Sequence, residues 1–410
     1  VVASQATFDP PQLGQYSFRD ADSPWQPYRR GIFEAIAFRP GRSTPPLVIA
    51  RGEGVTDGSG QLQISVPVSN QFQLASGAYL SGPVQFSIEG NASGADGQSI
   101  AGRSSVIVHP AGLYVGVASG GAVVRTGKPL AADLVVVDWA GTRLAGREIE
   151  VSLVRREWKN TFNPETGNWT SAVVDEDAGA QKVISGPNGE AKVSFTPEKG
   201  GSYRIVARVR DPQGRISQSA RFVFVVGDQY VSWLREDNDR INLVADRAEY
   251  VAGDTAEILI PSPFAEDHLA LVTVERGHIL QHEIIPVKGG TALYRLPIVD
   301  RYAPNVFVSV VVMKGMTGAG TVGAELADYK VGMVELTVKP VAQVFSITLT
   351  PDRPLLQPGE TVDFAIRATD AGGKPIAAAF SIDVVDKGVL NLKPRAPNAI
   401  VDAFYGRRAP

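Results

Sequence analysis

Asp246-Arg-Ala-Glu-Tyr-Val-Ala-Gly-Asp-Thr-Ala-Glu-Ile-Leu-Ile260 returns further along the chain as Asp352-Arg-Pro-Leu-Leu-Gln-Pro-Gly-Glu-Thr-Val-Asp-Phe-Ala-Ile366. Asp, Arg, Gly, Thr and the final Ile are identical, and acidic residues match at two further positions. A fainter copy centres on Gly127 and is followed by the strand-like run Leu134–Val137. The displacement that carries Gly127 onto Gly359 also carries Asp138-Trp-Ala-Gly141 onto Asp370-Ala-Gly-Gly373. Two separate motifs sharing one displacement argue against chance, so the chain is internally repeated.

Each copy reads as one physical unit. A strand ends at a glycine turn, where positive φ carries no steric cost, and a β-branched or aromatic strand follows. A loop such as Asp370-Ala-Gly-Gly-Lys-Pro375 then turns the chain back. Repeats of roughly 105–125 residues have the size of immunoglobulin-like sandwiches, not of solenoid units. Boundaries are predicted near Pro110, Gly227 and Pro340. They give four modules, 1–110, 111–227, 228–340 and 341–410, where length alone at about 150 residues per domain suggests two or three. The first module lacks opening strands, since Phe8–Gly41 is rich in Pro, Gly and Arg and reads as a long loop. The last, from Val341, is partial.

Elsewhere the pattern is alternation with a period of two. Gln61–Val66, Ala191–Phe195, Tyr203–Arg210 and Phe345–Leu349 each put apolar side chains on one face. Turn signals lie between such runs: Asp57-Gly58, Asn188-Gly189, Asp211-Pro-Gln-Gly214 and Gly372-Gly373. Short helices are possible only near Gly323–Tyr329 and Asn398–Tyr405. The predicted fold is all-β: a tandem array of immunoglobulin-like antiparallel β-sandwiches. Lys192, Arg204 and Arg208 are expected to guard exposed strand edges.

Composition agrees. The 410 residues hold 42 glycines and 28 prolines, high for a helical protein, and are 44% hydrophobic, enough for several cores. Net charge is −3 without charged blocks, which gives no footprint for nucleic acid or an anionic membrane. There is no cysteine, which excludes disulfides, thiolate metal sites and a cysteine nucleophile. It favours a reducing compartment or a prokaryotic extracytoplasmic one. The start at Val1, without Met or an apolar leader, reads as an excised soluble piece.

No motif carries catalysis, and the chain is not expected to be an enzyme or to bind a metal or cofactor. Gly318-Ala-Gly-Thr-Val-Gly323 matches the dinucleotide fingerprint, but no long helix can follow it before the strand Val334–Val338. His278 and His282 have the i, i+4 spacing of helical zinc ligands. Both follow the turn of a hairpin at Arg276-Gly277, and a strand separates such positions by about 13 Å. An EF-hand counted from Asp237 would need Gly and Glu where Asn242 and Ala248 stand. Glu236, Asp237 and Asp239 are the residues a looser calcium site would use, and a charged linker beside Trp233 is the plainer reading. Asn91-Ala-Ser93 and Asn168-Trp-Thr170 match a glycosylation pattern that is often accidental. Trp139, Trp158 and Trp169 read as packing residues before they read as a sugar platform.

The joint occurrence of several strings resembles the bacterial α2-macroglobulin family. They are Arg235-Glu-Asp-Asn-Asp-Arg-Ile-Asn-Leu-Val-Ala-Asp-Arg247, Gly253-Asp-Thr-Ala256, Ser262-Pro-Phe264 and Leu271-Val-Thr-Val-Glu-Arg276. To these add Tyr302-Ala-Pro-Asn-Val-Phe-Val-Ser309, Leu153-Val-Arg-Arg-Glu-Trp158 and Ser381-Ile-Asp-Val-Val-Asp-Lys-Gly-Val-Leu390. The resemblance spans about Gly52 to the last residue and implies macroglobulin domains, each a seven-stranded antiparallel sandwich. It also implies a broad-spectrum protease inhibitor: a protease cuts a bait segment, the molecule collapses around it, and a thioester captures it. The thioester needs a Cys-x-x-Gln motif, so it lies outside these residues or the protein lacks one. The implied partners are host or competitor proteases and a peptidoglycan synthase. The implied place is the periplasm, with any lipid anchor outside these residues.

In such proteins the strand resembling Ser381–Leu390 precedes the bait. Arg407-Arg408, attractive to trypsin-like enzymes, are therefore the candidate cleavage residues at the bait edge, against an ordinary connection inside the last module. A structural or adhesive array of Ig-like modules on the bacterial surface is the alternative function, since the fold alone would serve it equally well.

Overall fold

The computed structural model describes residues 1–20, 47–48, 50–65, 82–93, 98–163, 165–166, 168–227, 229–235, 238–315, 327–355, 357, 359–382, 385, 388, 391 and 399–410. It is all-β, as the alternation predicts. Strands β1 (Val2–Gln5), β2 (Leu47–Val48), β3 (Val84–Ser93) and β4 (Ser99–Val108) form a sheet in the order β2-β1-β3-β4.

Next come β5 (Leu113–Ser119), β6 (Val123–Arg125), β7 (Leu130–Asp138), β8 (Glu148–Asn163), β9 (Asn168–Ile184), β10 (Glu190–Phe195), β11 (Gly201–Arg210) and β12 (Ile216–Val226). They make a three-stranded sheet, β10-β7-β5, and a five-stranded sheet, β6-β12-β11-β8-β9. Alternate residues of both sheets meet in one core, among them Val115, Leu134, Val136, Leu153, Phe195, Ile205 and Val223. This is the sandwich that period-two sequence demands when one face of each sheet is dry.

The same plan follows in β13 (Val244–Ala245), β14 (Glu249–Tyr250), β15 (Thr255–Pro261), β16 (His268–Glu275), β17 (Ile279–Val287), β18 (Thr291–Pro297), β19 (Asn305–Lys314) and β20 (Asp328–Val338). Their sheets are β13-β15-β18 and β14-β20-β19-β16-β17, so every strand of the first sandwich has a counterpart at the same place in the second. Both carry one strand beyond the seven the resemblance implies. The extra strands, β6 and β14, are short and run parallel to β12 and β20. Then β21 (Ser346–Pro351) and β22 (Phe364–Thr369) pair as β13 and β15 do, and a short helix α1 (Ala399–Tyr405) follows. No helix among the described residues is long and apolar enough to cross a membrane.

The repeat that decides the fold has a specific hydrogen-bonded corner. Asp246 N donates to Glu257 O at 2.9 Å, and Asp352 N to Asp363 O at 2.9 Å. Arg247 Nη2 donates to Thr255 O, and Arg353 Nη2 to Thr361 O. Val251 N donates to the Asp254 carboxylate at 2.9 Å, and Gln357 N to that of Glu360 at 3.0 Å. Gly253 and Gly359 sit at φ 95° and 92°, where a Cβ would be strained. Each identical Asp, Arg and Gly thus has a task, while Thr255 and Thr361 enter through their backbone carbonyls. In the fainter copy Gly120 and Gly121 replace the Asp-Arg pair, yet Gly127 keeps φ 70°.

The second repeated motif is an aspartate loop. Oδ1 of Asp138 accepts from Ala140 N and Thr142 N, and that of Asp370 from Gly372 N and Lys374 N. Asp57 and Asp211 build the same loop, each with a glycine three residues on at φ near 80°. Asp211 is the buried one, its side chain 0% exposed, and it also accepts from Gly112 N and Arg215 Nε at 2.9 and 2.7 Å. Burial alone would raise its carboxyl, but the Gly112 and Arg215 amides and the Arg215 guanidinium outweigh burial and hold it below the ordinary value. A depressed folded pKa gives stability that is complete above the unfolded value, about 3.9, and is lost as pH falls through the folded one. Asp211→Asn is therefore expected to cost about 2 kcal/mol at pH 7 and to flatten the acid limb of stability below about pH 4. Urea midpoints measured across pH check it.

Four expectations change. Gln61–Ser65 form no strand, and Leu62 and Ile64 are exposed. Alternation needs a second sheet to bury one face, and among the described residues none pairs there. Arg204 and Arg208 lie on β11 between β12 and β8, so they guard no edge. Arg204 instead bonds Asp20 Oδ1 at 2.8 Å, and Arg208 bonds Gln218. Lys192 does lie on an edge strand, β10. Asp328 and Tyr329 open β20 opposite Lys314 and Met313 and are not helical, while the remainder of Gly323–Tyr329 falls mostly outside the described residues. Ser381 and Ile382 lie in no strand, and most of Asp383–Leu390 falls outside the described residues.

Candidate functional site

The segment around Arg407 and Arg408 is held by side chains of β19 and β20. Asn305 opens β19 and Glu335 lies near the end of β20, opposite Phe307. Asn305 is 1% exposed and spends its whole amide. Its Oδ1 accepts from Arg408 N at 2.9 Å, and its Nδ2 donates to Arg408 O and to Glu335 Oε1, both at 2.9 Å. Arg407 lays its fork on the Glu335 carboxylate, Nε to Oε1 at 2.8 Å and Nη2 to Oε2 at 2.8 Å. That carboxylate pushes the Arg407 guanidinium further above its ordinary range. Arg408 Nη2 turns back to Phe404 O at 3.0 Å, where a cation satisfies a carbonyl at the end of α1.

Sequence reasoning named Arg407 and Arg408 and missed their holders. Glu335 occupies an ordinary polar position of an alternating strand. Asn305 could be read only as a strand opener, although it stands inside one of the family-like strings.

The other candidates do not converge. Arg276-Gly277 does turn a hairpin, with Arg276 N bonded to His278 O and Gly277 at φ 70°. His282 lies exposed on β17 opposite Thr273, while His278 belongs to the turn. Among the described residues no group of three or more His, Asp or Glu could hold a metal ion. Glu236 and Asp237 lie outside the described residues, as does Gly318–Gly323.

The tryptophans have three different settings. Trp158 is buried. Trp169 lies under the Arg235 guanidinium at 3.7 Å, with Phe162 at 5.2 Å. Trp139 is exposed beside His109, whose imidazole burial lowers. Trp233 is a fourth, buried, and its indole N–H donates to Gly290 O at 2.9 Å.

Residues 116–227 match the family model described as bacterial macroglobulin domain 6, and residues 241–392 that described as the alpha-2-macroglobulin bait region domain. An alpha-2-macroglobulin homolog of Nostoc sp. is 23% identical over 329 residues, which is 80% of this chain and 17% of the relative. The alpha-2-macroglobulin of Ralstonia nicotianae is 31% identical over 223 residues, 54% of this chain and 13% of the relative. Native Escherichia coli alpha-2-macroglobulin is similar over 99% of this chain and 25% of its own, at 18% identity and a TM-score of 0.35. The chain spans about a sixth of the length of the curated relatives it matches.

Proposed function

This chain belongs to the bacterial α2-macroglobulin family, and we propose that it is part of the scaffold of a broad-spectrum protease inhibitor. The observation that carries this reading is the bait-region match over residues 241–392, which ends seven residues before α1 and fifteen before Arg407. In this proposal the modules are 1–110, 111–227, 228–340 and 341–410, the last a partial domain leading towards the bait region. Attacking proteases are the partners of the full-length protein, and Arg407-Arg408 mark the bait edge. Residence in the periplasm, a lipid anchor elsewhere in the protein and work beside a peptidoglycan synthase belong to the same proposal.

Trapping needs a bistable arrangement that one cut releases. Sandwiches suit that use. Their cores are close-packed and transmit a displacement instead of absorbing it. The full-length protein treated with trypsin is expected to give one dominant early cut near Arg408 and a more compact species in sedimentation. The trapped trypsin should cleave a small chromogenic peptide but spare a large protein substrate. Gradual digestion at many linkers, with trypsin fully active on large substrates, would end the proposal.

A further inference from the structure

Asn305 and Glu335 read two different properties of the segment they hold. A carboxamide that bonds both the N–H and the C=O of one residue imitates a neighbouring β-strand, so Asn305 recognises extended backbone at Arg408 whatever its side chain. Glu335 recognises the preceding side chain. Its two oxygens meet the planar fork of Arg407, a geometry that a lysine ammonium does not offer. Asn305 Nδ2 also bonds Glu335, so the two readers fix each other.

A trypsin-like protease needs the same groups. It takes its substrate as an extended strand and seats the P1 cation on a carboxylate. For the bond after Arg407 that cation is the one on Glu335, and the Arg408 amide beyond the bond is committed to Asn305. For the bond after Arg408 the protease must take the N–H and C=O that Asn305 occupies. Protease and sheet therefore compete for identical atoms.

We propose that Asn305 and Glu335 form a socket for an arginine-bearing extended segment, filled here by Arg407-Arg408, and that the filled socket slows trypsin-like attack on these bonds without preventing it. The shielding rests on the bait-edge reading of Arg407-Arg408; the socket does not. Cleavage is then conditional on release of the segment from β19–β20.

Two variants of the full-length protein test it. Glu335→Ala removes the carboxylate. Arg407→Lys leaves the sheet untouched and remains a trypsin site while losing the fork. In both, the Arg408 amide is expected to exchange roughly ten-fold faster or more, and cutting after residues 407 and 408 to quicken by a similar factor. Cuts elsewhere should keep their rates. Unchanged exchange in both variants overturns the socket. Faster exchange with unchanged cutting overturns the shielding. If cutting quickens as expected but the cut protein does not compact, the socket and its shielding stand and the bait-edge reading falls.

Discussion

Gly116→Val is expected to drive the segment Phe8–Asp20 off the three-stranded sheet and to cost about 3–5 kcal/mol, on the scale of losing a buried aromatic. A Cβ at residue 116 would stand 2.7 Å from Phe18 Cζ and 2.9 Å from Tyr16 Cβ, closer than packed carbons approach. The segment crosses the outer face of β5 and β7, where Leu13 and Phe18 cover Tyr114, Val135 and Val137. Phe8 stacks on the Tyr114 ring at 4.0 Å. Ser17 exchanges backbone hydrogen bonds with Val117, and Arg19 O accepts from Ala220 N. The segment therefore occupies free edges of both sheets and caps an apolar outer face, so lifting it uncovers apolar rings and unpaired strands together.

Hydrogen exchange at Ser17 and Val117 should rise sharply in Gly116→Val. Phe18→Ala alone should also destabilise, by a similar amount. Combined with Gly116→Val it should cost much less than the two losses added, because the smaller side chain vacates the space that the valine needs. Additive losses would mean that the two residues do not meet.

That segment marks where sequence stopped being legible. Composition made Phe8–Gly41 a loop, and for residues 8–20 irregular chain with one 3-10 turn is what stands there. What composition could not carry is that an irregular chain has a core of its own. Phe8, Leu13 and Phe18 follow neither the period of a strand nor that of a helix, so no pattern marks them. Period-two runs were legible when a facing sheet existed, as in Tyr203–Arg210, and misleading when none did, as in Gln61–Ser65. Alternation reports one dry face; it says nothing about how many neighbours a strand has along its edges. This is why Arg204 could be mistaken for an edge guard when it lies on a central strand.

The most legible features were those fixed by local chemistry. An aspartate followed three residues on by glycine builds the same loop at Asp57, Asp138, Asp211 and Asp370. Side-chain oxygen and backbone amides are close in the sequence, so no tertiary partner has to be guessed. The holders of Arg407-Arg408 are the opposite case. Asn305 and Glu335 lie far from them along the chain, and only folding makes them neighbours.

The paired corners allow the same substitution to be compared in two settings. Asp246→Ala is expected to cost about 2–4 kcal/mol, and Asp352→Ala less than about 1 kcal/mol. The local bonds match, since Glu257 N and Asp363 N each donate to the aspartate of their own corner. The surroundings differ. Asp246 also accepts from the Tyr250 hydroxyl at 2.7 Å, and Tyr250 is 1% exposed. Burial, and then the Asp246 carboxylate, push that phenol above its ordinary value, so the hydroxyl stays protonated and needs an acceptor. Removing Asp246 strands a buried hydroxyl and a strand amide, whereas the residue in the Tyr250 position of the later copy is Leu356, which has no hydroxyl to strand.

The Asp352 side chain is 40% exposed against 18% for Asp246, so water replaces its lost bonds more readily. Urea unfolding followed by hydrogen exchange across β15 and β22 separates the two sites in one chain. Equal losses would mean that the corner contributes through its turn geometry alone. A loss confined to Asp246 would show that a repeated motif of one sequence has been built into the core in one copy and left as a surface turn in the other.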